Sequence, residues 1–350
     1  MKKILIATSA LVAVAVAGQA QASEKIKLSV GGYMEQWAGI ASQDDQFANI
    51  NAFQSDTEIH FKGSTTLDNG IEIGAAIELE GESSDDQIDE QYLYINGSFG
   101  QVKLGQEDGA AADMGITAPA VGPVGVNDGD LTNWVSSNLA DTVFDGGDYK
   151  RVTYYTPVLG GFRAGVSYAD SDNSESNVTT KKGAAVTGGD KTTTGHPVVS
   201  AGLEYNADFD GVSLGLSAVG EHSGDGEWYS FGTNIGFGNF TVGGSYGHKD
   251  KEFGENENVV YAATADDTSA FDLGIAYAMD AAKVSLSYAH GKATTGTDGD
   301  DVDTVDLGLA YALGAGVDWK TSIFWFDSDS KTVAKKNDGF GAVTGIKLSF

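Results

Sequence analysis

The sequence predicts an all-β protein: a transmembrane antiparallel β-barrel of about sixteen strands, closed on itself, with a long third loop folded into the lumen. Three observations predict it. Short runs of period two recur along the chain, brief turns alternate with long polar loops between them, and the chain closes on an aromatic at the end of an alternating run, Ile346-Lys347-Leu348-Ser349-Phe350. A closed ladder leaves no unpaired edge in lipid, and a terminal ring sits well at the membrane interface.

The first segment is read as an export signal. Lys2 and Lys3 precede an apolar stretch from residue 4 to 17, and Ala20-Gln21-Ala22 offers small residues for a cut before Ser23. Residues 1–22 are therefore expected to be removed, leaving 23–350 as the barrel. No later stretch approaches twenty unbroken apolar residues, so no transmembrane helix is expected. The absence of cysteine excludes disulfides, thiol catalysis and cysteine-based metal sites. Formal charge is −29, or −29 − 2 = −31 without Lys2 and Lys3, which argues against nucleic acid as a partner. Disordered chains can be as acidic, but they lack strands built from 41% hydrophobic and 10% aromatic residues.

The strand pattern is clearest at residues 70–80. Ile71, Ile73, Ala75, Ile77 and Leu79 share one face, while Glu72, Glu78 and Glu80 share the other. One face tolerates lipid and the other wants water. The same alternation marks 57–65, 91–95, 162–168, 212–219, 240–246, 271–277, 284–288, 305–312 and 317–325. Weaker runs at 25–40, 101–106, 149–156, 198–205, 228–237 and 339–350 bring the total to about sixteen, an even number as single-chain bacterial barrels require.

Connections after even strands are brief, as at Leu67-Asp68-Asn69-Gly70, Gly238-Asn239 and Leu313-Gly314-Ala315-Gly316. Those after odd strands include the long acidic segments 170–196, 248–267, 291–303 and 327–338. This parity puts both termini on the periplasmic side and most of the negative charge at the outer mouth, where it attracts cations. Tyr and Trp near strand ends are read as two interfacial girdles. Asp298-Gly299-Asp300-Asp301-Val302-Asp303 could hold Ca2+ through several oxygens, without the spacing of an EF-hand. Divalent ions could also bridge the acidic loops to phosphates of outer-membrane lipid and lipopolysaccharide. Otherwise no cofactor is expected.

The longest connection, 106–148, is short of charge in its middle, 116–126, and a segment of that size is usually functional. Folding it inward would bury its apolar middle against the wall and leave Glu107, Asp108 and Asp113 near the narrowest point. Strand parity points Lys62, Lys103, Arg151, Arg163 and Lys320 into the lumen, since Phe61, Val102, Leu104, Val152, Phe162 and Trp319 face outward.

The chain resembles the trimeric general porins of Gram-negative bacteria, especially the alphaproteobacterial type. The resemblance is carried by Gly97-Ser98-Phe99-Gly100-Gln101-Val102-Lys103-Leu104-Gly105-Gln106-Glu107-Asp108-Gly109-Ala110, by Arg151-Val152-Thr153-Tyr154-Tyr155-Thr156-Pro157-Val158-Leu159-Gly160-Gly161-Phe162 and by the terminal Phe350. It implies a homotrimer of water-filled barrels passing small hydrophilic solutes, with a field across the lumen between acids (Glu107, Asp108, Asp113) and wall bases. It also implies that the outer-membrane assembly machinery reads Phe350. The dense arginine ladder of the enterobacterial members is not apparent, so a cation bias is expected.

An outer-membrane barrel enzyme or a substrate-specific channel is the alternative reading. An enzyme would need a Ser–His or carboxylate arrangement near the barrel surface, and the histidines are only His60, His196, His222, His248 and His290, the last three at strand-to-loop boundaries without paired-ligand spacing.

Overall fold

The structure is a computed structural model that describes residues 26–47, 52–82, 87–127, 129–137, 140–144, 147–171, 196–254, 267–295, 298–329 and 336–350. The expected export signal lies outside the described residues. Sixteen antiparallel strands form one closed barrel. They are β1 (Ser29–Ser42), β2 (Phe53–Thr66), β3 (Glu72–Glu80), β4 (Ile88–Gly97), β5 (Gly100–Glu107), β6 (Tyr149–Tyr155), β7 (Phe162–Ala169) and β8 (Val198–Phe209). There follow β9 (Val212–Ser223), β10 (Gly226–Phe237), β11 (Phe240–Lys249), β12 (Asp267–Met279), β13 (Ala282–Thr295), β14 (Asp298–Gly314), β15 (Val317–Asp329) and β16 (Asn337–Ser349).

Each strand pairs with its sequence neighbours, and β16 closes onto β1 in the register Tyr33↔Ser349 to Ser42↔Phe340. The seam continues to the last residue. Gly32 N–H donates to Phe350 O at 3.0 Å and Phe350 N–H to Gly32 O at 3.1 Å. Closure satisfies every strand edge, which is the condition for lying in lipid.

Alternation sorts the side chains onto two faces. Outside, Leu203, Leu216, Leu273, Leu286, Leu307 and Ile323 are exposed in the middle of their strands. Rings flank this belt at both ends. Phe162, Phe237, Phe240 and Trp319 lie toward the short turns, and Phe231, Tyr246, Trp325 and Phe340 toward the long loops. That arrangement suits a hydrocarbon slab between two headgroup layers.

The short turns are as tight as their residues allow. Asp210 and Gly211 have φ of 54° and 91°, the doubly left-handed geometry that matches strand twist in a two-residue hairpin.

Loop parity departs from expectation at two points. Only residues 224–225 separate β9 from β10, although this connection is at the long-loop end. The expected loop 291–303 is mostly strand, because β13 runs to Thr295 and β14 starts at Asp298. Cross-strand pairs extend the ladder there: Lys292 Nζ lies 3.8 Å from Asp301, and Asp303 takes both Tyr288 OH at 2.6 Å and His290 Nδ1 at 3.0 Å. Charges opposite one another stabilise a polar hairpin that periodicity alone reads as loop.

Candidate functional site

The described residues between β5 and β6 lie inside the barrel, and the wall explains how. It begins with a five-residue helix, α1 (Ala110–Met114), whose buried residues are Ala110, Ala111 and Met114. From there its backbone N–H groups donate in turn to inward side chains of successive strands. Ala110 bonds Ser167 Oγ on β7 at 3.2 Å, Ala111 bonds Ser200 Oγ on β8 at 2.8 Å and Ile116 bonds Ser217 Oγ on β9 at 3.0 Å. Ala118 then bonds Asp272 Oδ1 on β12 at 3.0 Å, Val121 bonds Ser285 Oγ on β13 at 3.0 Å and Val124 bonds Ser322 Oγ on β15 at 3.3 Å. Each bond meets a backbone donor that burial would otherwise leave unsatisfied.

Glycines on the same inward face make room for this path. A Cβ on Gly232 would lie 1.9 Å from Ile116 O, and one on Gly308 would lie 2.4 Å from Gly122 N. Farther on, Leu131, Trp134 and Val135 bury against Trp37, Phe324, Phe326 and Val343 on the inner face of β1, β15 and β16. The apolar pocket for the loop is therefore built into the wall. The chain then returns, with Thr142 Oγ1 2.6 Å from Ser245 Oγ and Phe144 set edge-on against Trp228 at 5.8 Å.

The charges expected at the narrowest point are placed as follows. Lys103 faces inward, 2.6 Å from Glu107 and 3.4 Å from Asp113. Asp113 also accepts from Tyr155 OH. Glu107 is fully buried, and Asp108 N–H donates to Glu90 Oε1 at 3.3 Å. Arg151 is buried beside Glu221 at 3.7 Å and donates to Gly147 O at 2.6 Å. Arg163 lies 3.7 Å from Glu204 with its guanidinium over the Tyr155 ring at 4.2 Å. Lys62 pairs with Glu78 at 2.7 Å, and Lys320 shares the inward face with the buried Ser322.

The expected facing arrays are thus not the arrangement found. Glu107 and Asp113 do not stand across the lumen from Lys103; they bind it directly, and Arg151 is enclosed with Glu221. The reason is local. Glu107 shares β5 and its inward face with Lys103, four residues away, and the segment then turns at once onto β6–β9, so Asp113 of α1 meets the same base. Alternation gives the face of a side chain but not the neighbour that a returning loop brings to it.

Sequence reasoning missed the acidic wall of β2–β4. Glu58, His60 and Glu78 cluster there, as do Glu58, Glu80 and Asp89, while Glu90, Asp108 and Asp148 gather where the segment enters. The signal was visible in the shared polar face of Glu78 and Glu80. By contrast, Asp301 and Asp303 of the run read as a calcium ligand set face outward, whereas Val302 between them is buried inward. His222, His248 and His290 lie on β9, β11 and β13, each pair separated by a whole strand, or roughly 9 Å or more.

A closed barrel with an apolar outer belt, aromatic rims and a polar interior crossed by an inserted loop defines an outer-membrane β-barrel. The family model for Gram-negative porins matches residues 7–331. A monosaccharide porin from a Halomonas species and the major outer membrane protein of Halomonas elongata are each 26% identical over 235 residues, 62% of this chain. The chain spans 63% of the length of these relatives. Among solved structures, an anion-selective porin from Comamonas acidovorans matches with a TM-score of 0.62 and 15% identity, covering 93% of this chain and 100% of that one. OmpT of Vibrio cholerae in its trimer form matches with a TM-score of 0.64 and 11% identity over the same shares. The chain belongs to the Gram-negative porin family.

Proposed function

We propose that this barrel is a passive channel of the outer membrane, admitting small hydrophilic solutes and ions with a preference for cations, and that residues 106–148 set its narrowest section. The observation that carries this reading is the uneven lining. The loop is bonded along β7–β15, while the inward faces of β2–β4 carry Glu58, Glu78, Glu80 and Glu90, with His60 and Lys62 as the neighbouring bases. A narrow aqueous path beside fixed negative charge favours cation entry. Family membership supports a trimer, and the trimer form of the Vibrio OmpT structure is in keeping with it.

Purified protein in a planar bilayer tests both parts. Stepwise conductance increments are expected, with a reversal potential in a potassium chloride gradient on the side of potassium. No steps would refute the channel, and a chloride-side potential would refute the bias.

A channel with a sugar preference is the second reading. Tyr33 and Tyr92 present rings on the inner face, and one relative is a monosaccharide porin. Liposome swelling would favour it if monosaccharides entered faster than neutral solutes of equal size. Phe350, which closes the seam while 65% exposed, is read as the signal for the assembly machinery. Its deletion should lower the yield of folded, heat-modifiable barrel without blocking export.

A further inference from the structure

We propose that Glu58, His60 and Glu78 form a binding site for a borderline divalent cation of the zinc class on the inner wall. Glu58 and His60 lie two residues apart on β2 and share its inward face, and His60 stands directly opposite Glu78 of β3. Their ligand atoms all lie within 4.8 Å of one another.

The orientation of the carboxylates is what separates this group from a mere concentration of acid. Glu58 gives one oxygen, Oε1, to the Tyr33 hydroxyl at 2.7 Å and turns the other, Oε2, to His60 Nε2 at 2.8 Å. Glu78 gives Oε1 to Lys62 Nζ at 2.7 Å and turns Oε2 to the same nitrogen at 3.4 Å. Two outer donors thus fix two carboxylates so that their free oxygens converge on one imidazole nitrogen. A single N–H can serve only one of them well. A cation at that point is bonded by both carboxylates and by the nitrogen lone pair, with the outer donors in the supporting role typical of metal sites.

Spacing and donor type name the class of ion. Zinc–nitrogen and zinc–oxygen bonds of 2.0–2.2 Å put tetrahedral ligand atoms roughly 3.3 Å apart, close to the separations around His60. One imidazole with two carboxylates suits zinc, copper or nickel, whereas calcium and magnesium prefer oxygen alone. The cluster is open to small ions, with side-chain exposures of 17%, 23% and 13% for Glu58, His60 and Glu78. Strand hydrogen bonding fixes the backbone beneath all three, so little ordering accompanies binding.

Equilibrium dialysis of the folded, detergent-purified barrel against Zn2+ tests the site without requiring conductance, so its failure leaves the channel reading standing. One Zn2+ per chain is expected, undisplaced by a hundredfold excess of Mg2+. His60→Gln and Glu78→Gln should each weaken binding at least tenfold, with heat-modifiable mobility confirming the fold. Cu2+ in the same barrel should show nitrogen coupling in its electron paramagnetic resonance spectrum, and His60→Gln should remove it. If His60→Gln fails to fold, Glu78→Gln and the Mg2+ competition decide the matter. Unchanged affinity in either folded variant, or displacement by equimolar Mg2+, overturns the proposal.

Discussion

Asp272 is fully buried on β12 and accepts five hydrogen bonds. Ser245 of the neighbouring strand supplies N–H and hydroxyl, both at 2.6 Å, while Ala118, Asn127 and Thr142 supply donors from the outgoing and returning parts of the inserted segment. A carboxylate here is stable because donors surround it, and the donors are satisfied because it is charged. Removing it strands several of them at about 1–3 kcal/mol each. Asp272→Ala should therefore lower amide-exchange protection across 116–127 by at least tenfold and leave the strand amides protected, as read by hydrogen exchange with mass spectrometry. Equal loss in strands and loop would make Asp272 a general stability residue rather than a loop anchor. Its role was not legible beforehand. In sequence it is one acid among fifty, on a strand whose parity shows only that it faces inward.

At the scale of elements, legibility followed periodicity. Ile71 to Leu79 alternate cleanly because one face meets lipid and the other water, and such strands were readable residue by residue. Ile323-Phe324-Trp325-Phe326 breaks that rule, since its inward members Phe324 and Phe326 bury under Trp134 and Leu131 of the inserted segment. A run of four apolar residues in a barrel strand is the trace of a second buried face, so the docking place of the loop was partly written there. The serine hydroxyls that hold the loop left no such trace, because inward serines suit a wet lumen equally well. The glycines are more exacting. Gly232 and Gly247 face the loop, and a Cβ at Gly247 would lie 2.1 Å from Thr142 O. Gly232→Val with Gly247→Val should push the segment off β10 and β11 while the barrel still folds. Single-channel conductance should rise or become noisy, with heat-modifiable mobility unchanged. Unaltered conductance would show that the segment does not set the narrow section.

For the molecule as a whole, the question is which charges govern the pore. Of the bases read as wall charges, Lys103 is bound by Glu107 and Asp113, Arg151 by Glu221, Arg163 by Glu204 and Lys62 by Glu78. A close pair of opposite charges has little field beyond its own dimensions, so the one-to-one pairs contribute weakly to ion selection, while Lys103 with its two acids counts as one net negative charge. Glu58, Glu80 and Glu90 remain on the β2–β4 wall with less compensation, so the cation preference should come from them. Glu58→Gln, Glu80→Gln and Glu90→Gln together should shift the reversal potential toward zero. Glu107→Gln with Asp113→Asn turns the Lys103 group from one net negative charge to one positive, a change of two units against three for the wall triple, so it should shift the potential less. The contrast should be larger at low ionic strength, because the Debye length grows from about 10 Å at 0.1 M to about 30 Å at 0.01 M. Measured in matched potassium chloride gradients, a larger shift from the loop pair than from the wall triple would return control of selectivity to the inserted segment.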